Sequence, residues 1–375
     1  MNTKYSPLFE SFTLKSGVSL KNRIVMAPMT HWSSHEDGTV SDAEIKYYAR
    51  RSKGVGMVIT ACVYVTPNGK GFSGEFAADT DEMIPSLRRL AATIQDQGAK
   101  AILQIYHGGR SCPPEEVPNG EIVSASAIAE DREGAKVPRA LTDAEIEGII
   151  RDYAEATRRA IEAGYDGVEI HGANGYLLQQ FFSPSSNHRE DRWGGSLEKR
   201  LAFPIAVAEA VKEAASHAKH PFVVGYRFSP EEPGDDGITM EDSYRLVEAL
   251  IDRGMDYLHV SLQDFWSLPR RGANESRTRM EWFHTRYGSQ MTFIGVGGLH
   301  TADDVLKAHA SGIPLIALGR ELIIDPDWVE KVEQGRAEEI QTTLTPLDQD
   351  RLVIPDHLWE RIMAMKGWFP VVESE

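Results

Sequence analysis

Eight short apolar runs recur along this chain, each followed by a helical pattern, and no other sequence feature narrows the fold as far. The runs are Arg23–Met29, Gly56–Thr60, Ala99–Tyr106, Gly167–His171, Phe222–Phe228, Tyr257–Leu262, Thr292–Val296 and Leu315–Leu318. Strands buried on both faces read as continuous apolar stretches of this kind. Between them, Met83–Gln97, Ser196–Ser216, Met240–Arg253, Thr301–Ala310 and Trp328–Ile340 are expected to be helical. Ser41 with Glu44 and Thr142 with Glu145 have capping-box spacing and mark two more helix starts. Residues 263–290 read as mixed loop and helix. Eight such units in about 320 residues fit a closed (β/α)8 TIM barrel. The rival is an open doubly wound sheet, but no GxGxxG follows the first run.

Outside the repeat, residues 8–20 read as a hairpin around Lys15, Ser16 and Gly17. The polar excursion His107–Ala140 is long for a compact domain, and loops of that length are often functional. The tail from Gln341 is irregular, then helical around His357–Ala364. No linker divides the chain. The expectation is one α/β domain over 1–375, with a barrel core from about 22 to 340, an N-terminal hairpin and a C-terminal helical extension over 341–375.

Charge and cysteines exclude several partners. A formal net charge of −16 argues against a nucleic-acid or anionic-membrane surface. A local Arg with backbone N–H groups can still hold a phosphate. Cys62 and Cys112 stand far apart with no CxxC spacing, so neither a disulfide framework nor a zinc or iron–sulfur site is expected. No apolar run approaches the ~20 residues of a membrane span, and the amino terminus lacks a signal-peptide core. A soluble cytoplasmic protein is expected.

In a barrel, the residues just past each strand share one rim, where active sites lie. The first strand brings Ala27, Pro28, Met29 and Thr30 there, the second Thr60 and Ala61, the third Gln104, Tyr106 and His107. The fourth brings His171, Asn174 and Tyr176, the fifth Arg227, the sixth His259, Ser261 and Gln263. The seventh and eighth bring Gly295, Gly297 and Gly298, then Gly319 and Arg320. Glycines let backbone amides approach an anion, the next helix dipole favours it, and Arg320 adds a fixed charge, so this end points to phosphate. Alone, the glycines would fit ordinary tight turns. Arg227 on an interior strand needs a partner. A core carboxylate such as Glu169 and an anionic or electron-rich ligand both remain open. His171 and Asn174 stand three apart and, on a helical turn, would point to one side. Each can donate to one carbonyl oxygen, and Tyr176 can give a proton. The plainer alternative is a cap with a core tyrosine. No carboxylate or second His accompanies the triplet, so no metal is expected.

These residues lie in longer matching stretches. LKNRIVMAPMT at 20–30, LQIYHGGR at 103–110 and GYDGVEIHGANGYLLQQFFSPSSNHREDRWGGSLEKR at 164–200 are three of them. GYRFSP at 225–230, IGVGGL at 294–299 and ALGREL at 317–322 complete the set. The chain resembles the old yellow enzyme family of FMN-dependent ene-reductases. The resemblance implies noncovalent FMN across the rim, with Pro28, Met29 and Thr30 against the flavin. It implies Ala61 and Gln104 on the pyrimidine edge, Arg227 by N1, and Gly297, Gly298, Gly319 and Arg320 on the phosphate. Arg227 is thereby assigned to the ligand. The implied reaction is ping-pong. NADH or NADPH reduces the flavin, an α,β-unsaturated carbonyl binds with its oxygen on His171 and Asn174, hydride passes from flavin N5 to the β-carbon, and Tyr176 protonates the α-carbon. His31, Trp32, Tyr64 and Tyr106 are placed around the substrate, although Trp32 and Tyr64 fit core or rim packing equally.

Some relatives have His at the position of Asn174 and Cys at that of Thr30, which leaves the substrate set open. Larger relatives carry a four-cysteine cluster and a second nucleotide-binding domain. With two cysteines and an end at Glu375, neither is expected here, which weighs against dienoyl-CoA reductase and amine dehydrogenase roles. Alternatives are a reductase of another acceptor (a dienoyl thioester, nitro compound or quinone), an FMN binder with little turnover, or a flavin-free aldolase or isomerase. A homo-oligomer is compatible with all of them.

Overall fold

Eight parallel strands close on themselves in the computed structural model, which describes residues 3–271 and 276–372. They are β1 (Ile24–Met26), β2 (Met57–Ile59), β3 (Lys100–Tyr106), β4 (Gly167–Gly172), β5 (Val223–Phe228), β6 (Tyr257–Val260), β7 (Phe293–Gly295) and β8 (Leu315–Leu318). Each pairs with its sequence neighbours, and β8 returns to β1 with Ala317 opposite Val25. The chain is a (β/α)8 barrel, as the alternation predicts.

Side chains alternate along each strand. Val25, Met57, Ile59, Ile102, Val223, Tyr257, Ile294 and Leu315 form one buried cluster inside the barrel. Leu14, Val18 and Leu20 join it from the hairpin, whose strands are Phe12–Thr13 and Ser19–Leu20. Several of the strand residues they meet open their strands, so the hairpin stops the N-terminal mouth. The outward set, including Val58, Leu103, Ile170, Val224 and Leu258, packs with helix residues such as Leu87, Ile146 and Val247 in the main core. The capping boxes at Ser41 and Thr142 both form.

Several boundaries differ from expectation. Leu8 and Phe9 belong to a 3-10 turn, Thr3–Phe9, ahead of the hairpin. The helix expected over Trp328–Ile340 stops at Glu333, because Gly335 takes φ +78 and only a short turn, Ala337–Glu339, follows. An unanticipated short helix, Arg320–Ile324, follows β8. Within 263–290 the helix is Arg279–Tyr287, and 272–275 lie outside the described residues. The excursion after β3 folds as short turns and a parallel pair, Val123–Ser124 with Arg139–Ala140. The C-terminal extension carries helices Gln349–Leu352 and Asp356–Ala364. Buried Arg51 ties it to the barrel, donating to the carbonyls of Leu352 and Val353. Among the described residues no helix is long and apolar enough to cross a membrane.

Candidate active site

Above its apolar layers the barrel interior turns polar. Strand register sets Gln104 beside Glu169, His171 beside Arg227, and Arg227 beside His259. Glu169 is fully buried at the centre. Its Oε1 accepts from Gln104 Nε2 at 2.7 Å. Its Oε2 accepts from the Tyr257 hydroxyl at 2.9 Å and lies 3.0 Å from His259 Nδ1. Burial alone would raise the Glu169 carboxyl. His259, Arg227 and the Gln104 amide outweigh it and hold the group below the usual carboxylate range.

That network bears on Arg227. Both Glu169 oxygens are engaged elsewhere, and no Glu169–Arg227 ion pair forms among the described residues. Arg227 instead donates from Nη1 to Asn174 Oδ1 at 3.3 Å, while its buried Nε has no partner. Burial lowers the guanidinium's affinity for its proton, and the Glu169 charge opposes this. A buried donor without an acceptor in the protein is suited to a ligand.

His171 is 4% exposed, and burial, with the Arg227 and His259 charges, pushes its pKa well below the ordinary value. Its ring is neutral near pH 7. Nδ1 accepts the Ala173 N–H at 3.3 Å, which places the single ring proton on Nε2. Asn174 reaches the cavity that His171 lines by way of a left-handed turn (Asn174 φ +59, Gly175 φ +80), not the helical turn that the spacing suggested. Its amide donates from Nδ2 to Ser261 Oγ at 3.1 Å, which leaves one Nδ2 hydrogen for a ligand. The Tyr176 ring stands edge-on to His171, with centroids 5.0 Å apart. Burial, then Cys62 and Glu75, push the phenol well above its ordinary value, so it stays protonated.

His171, Asn174 and Tyr176 line one cavity of about 390 Å³ with Thr30, Trp32, Cys62, Phe72, Gln104 and Trp368. A second, of about 370 Å³, is lined by Gly297, Gly298, Gly319 and Arg320. Pro28, Met29, Arg227 and Trp368 border both, so the two form one cleft. The glycines are required there. Gly297 has φ +132, and a Cβ on it would come within 2.8 Å of both the Leu262 carbonyl oxygen and the Phe265 nitrogen. Gly298 has φ +62. The helix after β7 is Ala302–Ala310, and it closes a capping box at its start. His300 and Thr301 N–H both donate to Asp304 Oδ2, and Asp304 N–H to Thr301 Oγ, so its N-terminus is capped from within. The turn at Gly319–Arg320 carries no side-chain cap.

Ala61, Tyr106, His31 and Tyr64 sit differently from expectation. The Ala61 N–H donates to the Tyr48 hydroxyl at 2.8 Å and its carbonyl accepts from Thr60 Oγ at 2.9 Å, so most of its backbone capacity is used within the protein. Tyr106 is fully buried behind Tyr176, its hydroxyl donating to Glu75 Oε2 at 2.9 Å. Trp32 does line the cleft, in a left-handed conformation (φ +51), under the Arg361 guanidinium at 4.7 Å. His31 and Tyr64 are buried, and His31 Nδ1 lies 2.8 Å from Glu44. Sequence reasoning missed Phe72, Gly367 and Trp368, which come from irregular segments without strand-end position. The Trp368 carbonyl accepts from Arg320 Nη1 at 2.6 Å, so the C-terminal extension forms a wall of the cleft.

A family described as NADH:flavin oxidoreductase / NADH oxidase matches residues 7–339. The chain is 55% identical over 371 residues to a probable NADH-dependent flavin oxidoreductase, YqiG, of Bacillus subtilis (strain 168), covering 99% of each. It is 42% identical to an NADH:fumarate oxidoreductase of Klebsiella pneumoniae (strain 342), over 95% of this chain but only 39% of that longer protein. Morphinone reductase in complex with tetrahydroNAD superposes with a TM-score of 0.76 at 28% identity, covering 88% of this chain and 91% of that one.

Proposed function

The chain belongs to the NADH:flavin oxidoreductase / NADH oxidase family, of the old yellow enzyme type, and from that premise we propose that it reduces carbon–carbon double bonds conjugated to a carbonyl. It is an NAD(P)H-dependent oxidoreductase that uses FMN. Its cleft suits that cofactor. Gly297, Gly298, Gly319 and Arg320 would hold the phosphate, and Arg227, with its unpartnered Nε, would meet the electron-rich edge of the ring. Pro28, Met29, Thr30 and Gln104 would line the ring itself. When bound, FMN supplies hydride transfer, which no side chain here can perform.

One observation carries the reading. A neutral His171 with its proton on Nε2, an Asn174 amide hydrogen and a protonated Tyr176 line one aromatic-walled cavity. His171 and Asn174 would hold the substrate carbonyl oxygen and stabilise charge gathering on it as hydride reaches the β-carbon. Tyr176 would give its hydroxyl proton to the α-carbon. Trp32, Phe72 and Trp368 would keep water away. The Klebsiella relative is named for fumarate, also an activated double bond, which supports this bond class. Anaerobic turnover with NADH and 2-cyclohexenone tests the reading: cyclohexanone should form in step with NADH loss. NADH oxidation that the enone does not accelerate would refute it.

Two further outcomes are expected. Removing Arg320 deletes charge-assisted bonds to a phosphate, worth about 1.5–3 kcal/mol. Arg320→Ala should therefore weaken FMN binding by about 10–100-fold while leaving riboflavin binding, measured by flavin fluorescence, nearly unchanged. Equal loss for both flavins would mean that Arg320 acts only by anchoring Trp368. The pH profile should also be flat. The His171 pKa lies well below the ordinary imidazole value and the Tyr176 pKa well above the ordinary phenol value, so neither group changes charge between those two ordinary values. Stopped-flow oxidation of the reduced enzyme by the enone should show no break there.

A further inference from the structure

Gln104 is a cleft residue whose amide could face the ligand with either end. The surrounding bonds remove that choice. The Tyr257 hydroxyl and His259 Nδ1 both engage Glu169 Oε2, which leaves Oε1 to Gln104. An ionised carboxylate only accepts, so Gln104 must present Nε2 to it. The Gln104 backbone is fixed as well, its N–H donating to Thr60 Oγ at 3.2 Å. Its side-chain oxygen is then left for the cleft as an acceptor.

We infer that Glu169 is a positioning residue for the flavin: by holding Gln104 Nε2, it turns the Gln104 oxygen to the cleft as the acceptor for the imide N–H of the pyrimidine ring. This rests on FMN as the cofactor and not on the alkene as substrate, so the two readings fail separately. Glu169→Gln keeps the shape and inverts the polarity. His259 Nε2 is buried without a partner, so the ring keeps its proton on Nδ1, and the Tyr257 hydroxyl has no other acceptor among the described residues; the new amide therefore sets its oxygen toward both and its NH2 toward Gln104. Gln104 must then turn its oxygen inward and its NH2 to the cleft, opposing the flavin N–H.

The test titrates apoprotein with FMN and with FMN methylated at N3, which lacks that N–H. Unmodified protein should favour FMN by about tenfold or more, and Glu169→Gln should lose this preference by binding FMN more weakly. Tyr257→Phe removes a bond from the same network without reorienting Gln104, so it should keep the preference. Preference retained in a folded Glu169→Gln protein would mean that the methyl group is excluded by shape, and would overturn the inference. Equal binding of the two flavins by unmodified protein would overturn it without any variant.

Discussion

Replacing His171 with alanine should lower kcat/KM for 2-cyclohexenone by about 100–1,000-fold, the usual cost of removing one preorganised donor from a developing oxyanion. The ring is almost fully buried, neutral, and committed to donating from Nε2. A preset, buried donor needs no reorganisation as charge develops. FMN should stay bound, because the phosphate end of the cleft is formed by other strands. The measurement is turnover alongside the flavin-to-protein absorbance ratio. The substitution also strips the Ala173 N–H of its acceptor, at a stability cost of about 1–3 kcal/mol. A melting curve separates that loss from the catalytic one. Asn174→Ala should cost less, about tenfold, since its amide is shared with Ser261. Loss of FMN together with activity in His171→Ala would make the residue structural.

Arg227→Met should lower the FMN reduction potential and slow reduction by NADH. Two unit charges about 5 Å apart at an effective dielectric constant near 20 interact by about 3 kcal/mol. For a two-electron couple that is about 60–70 mV, or about 100-fold in the equilibrium constant. The positive side chain favours the electron-rich reduced ring, and methionine keeps its apolar stem without the charge. Glu169 would also lose a charge that holds its carboxyl down, so its pKa should drift up. Dye-coupled potentiometry reads the shift. An unchanged potential would reduce Arg227 to a tether for Asn174.

Much of this was legible before the fold was known. The eight apolar runs predict the barrel because both faces of each strand are buried, and the barrel gathers His171, Asn174, Arg227 and Arg320 on one rim. What stayed hidden depends on register. From the residues alone Arg227 reads equally as partner of Glu169 or as facing a ligand, until pairing puts Gln104, Tyr257 and His259 within reach of Glu169. Trp368 and Phe72 lie in irregular segments, where no period announces a position. Tyr106 shares the inward face of Gln104, yet its ring is covered by Tyr176 and its hydroxyl is tied to Glu75, partners from segments that the strand period does not announce.

The central claim is that hydride reaches the β-carbon through the flavin while Tyr176 protonates the α-carbon. Isotope placement in the product tests it most directly. Turnover of 2-cyclohexenone with NADH deuterated at the transferred position should place deuterium only at the β-carbon. Unlabelled NADH in D2O should place it only at the α-carbon, and Tyr176→Phe should slow the step that delivers it. Product with no β-deuterium from labelled NADH, or label scrambled between the two carbons, would contradict the account.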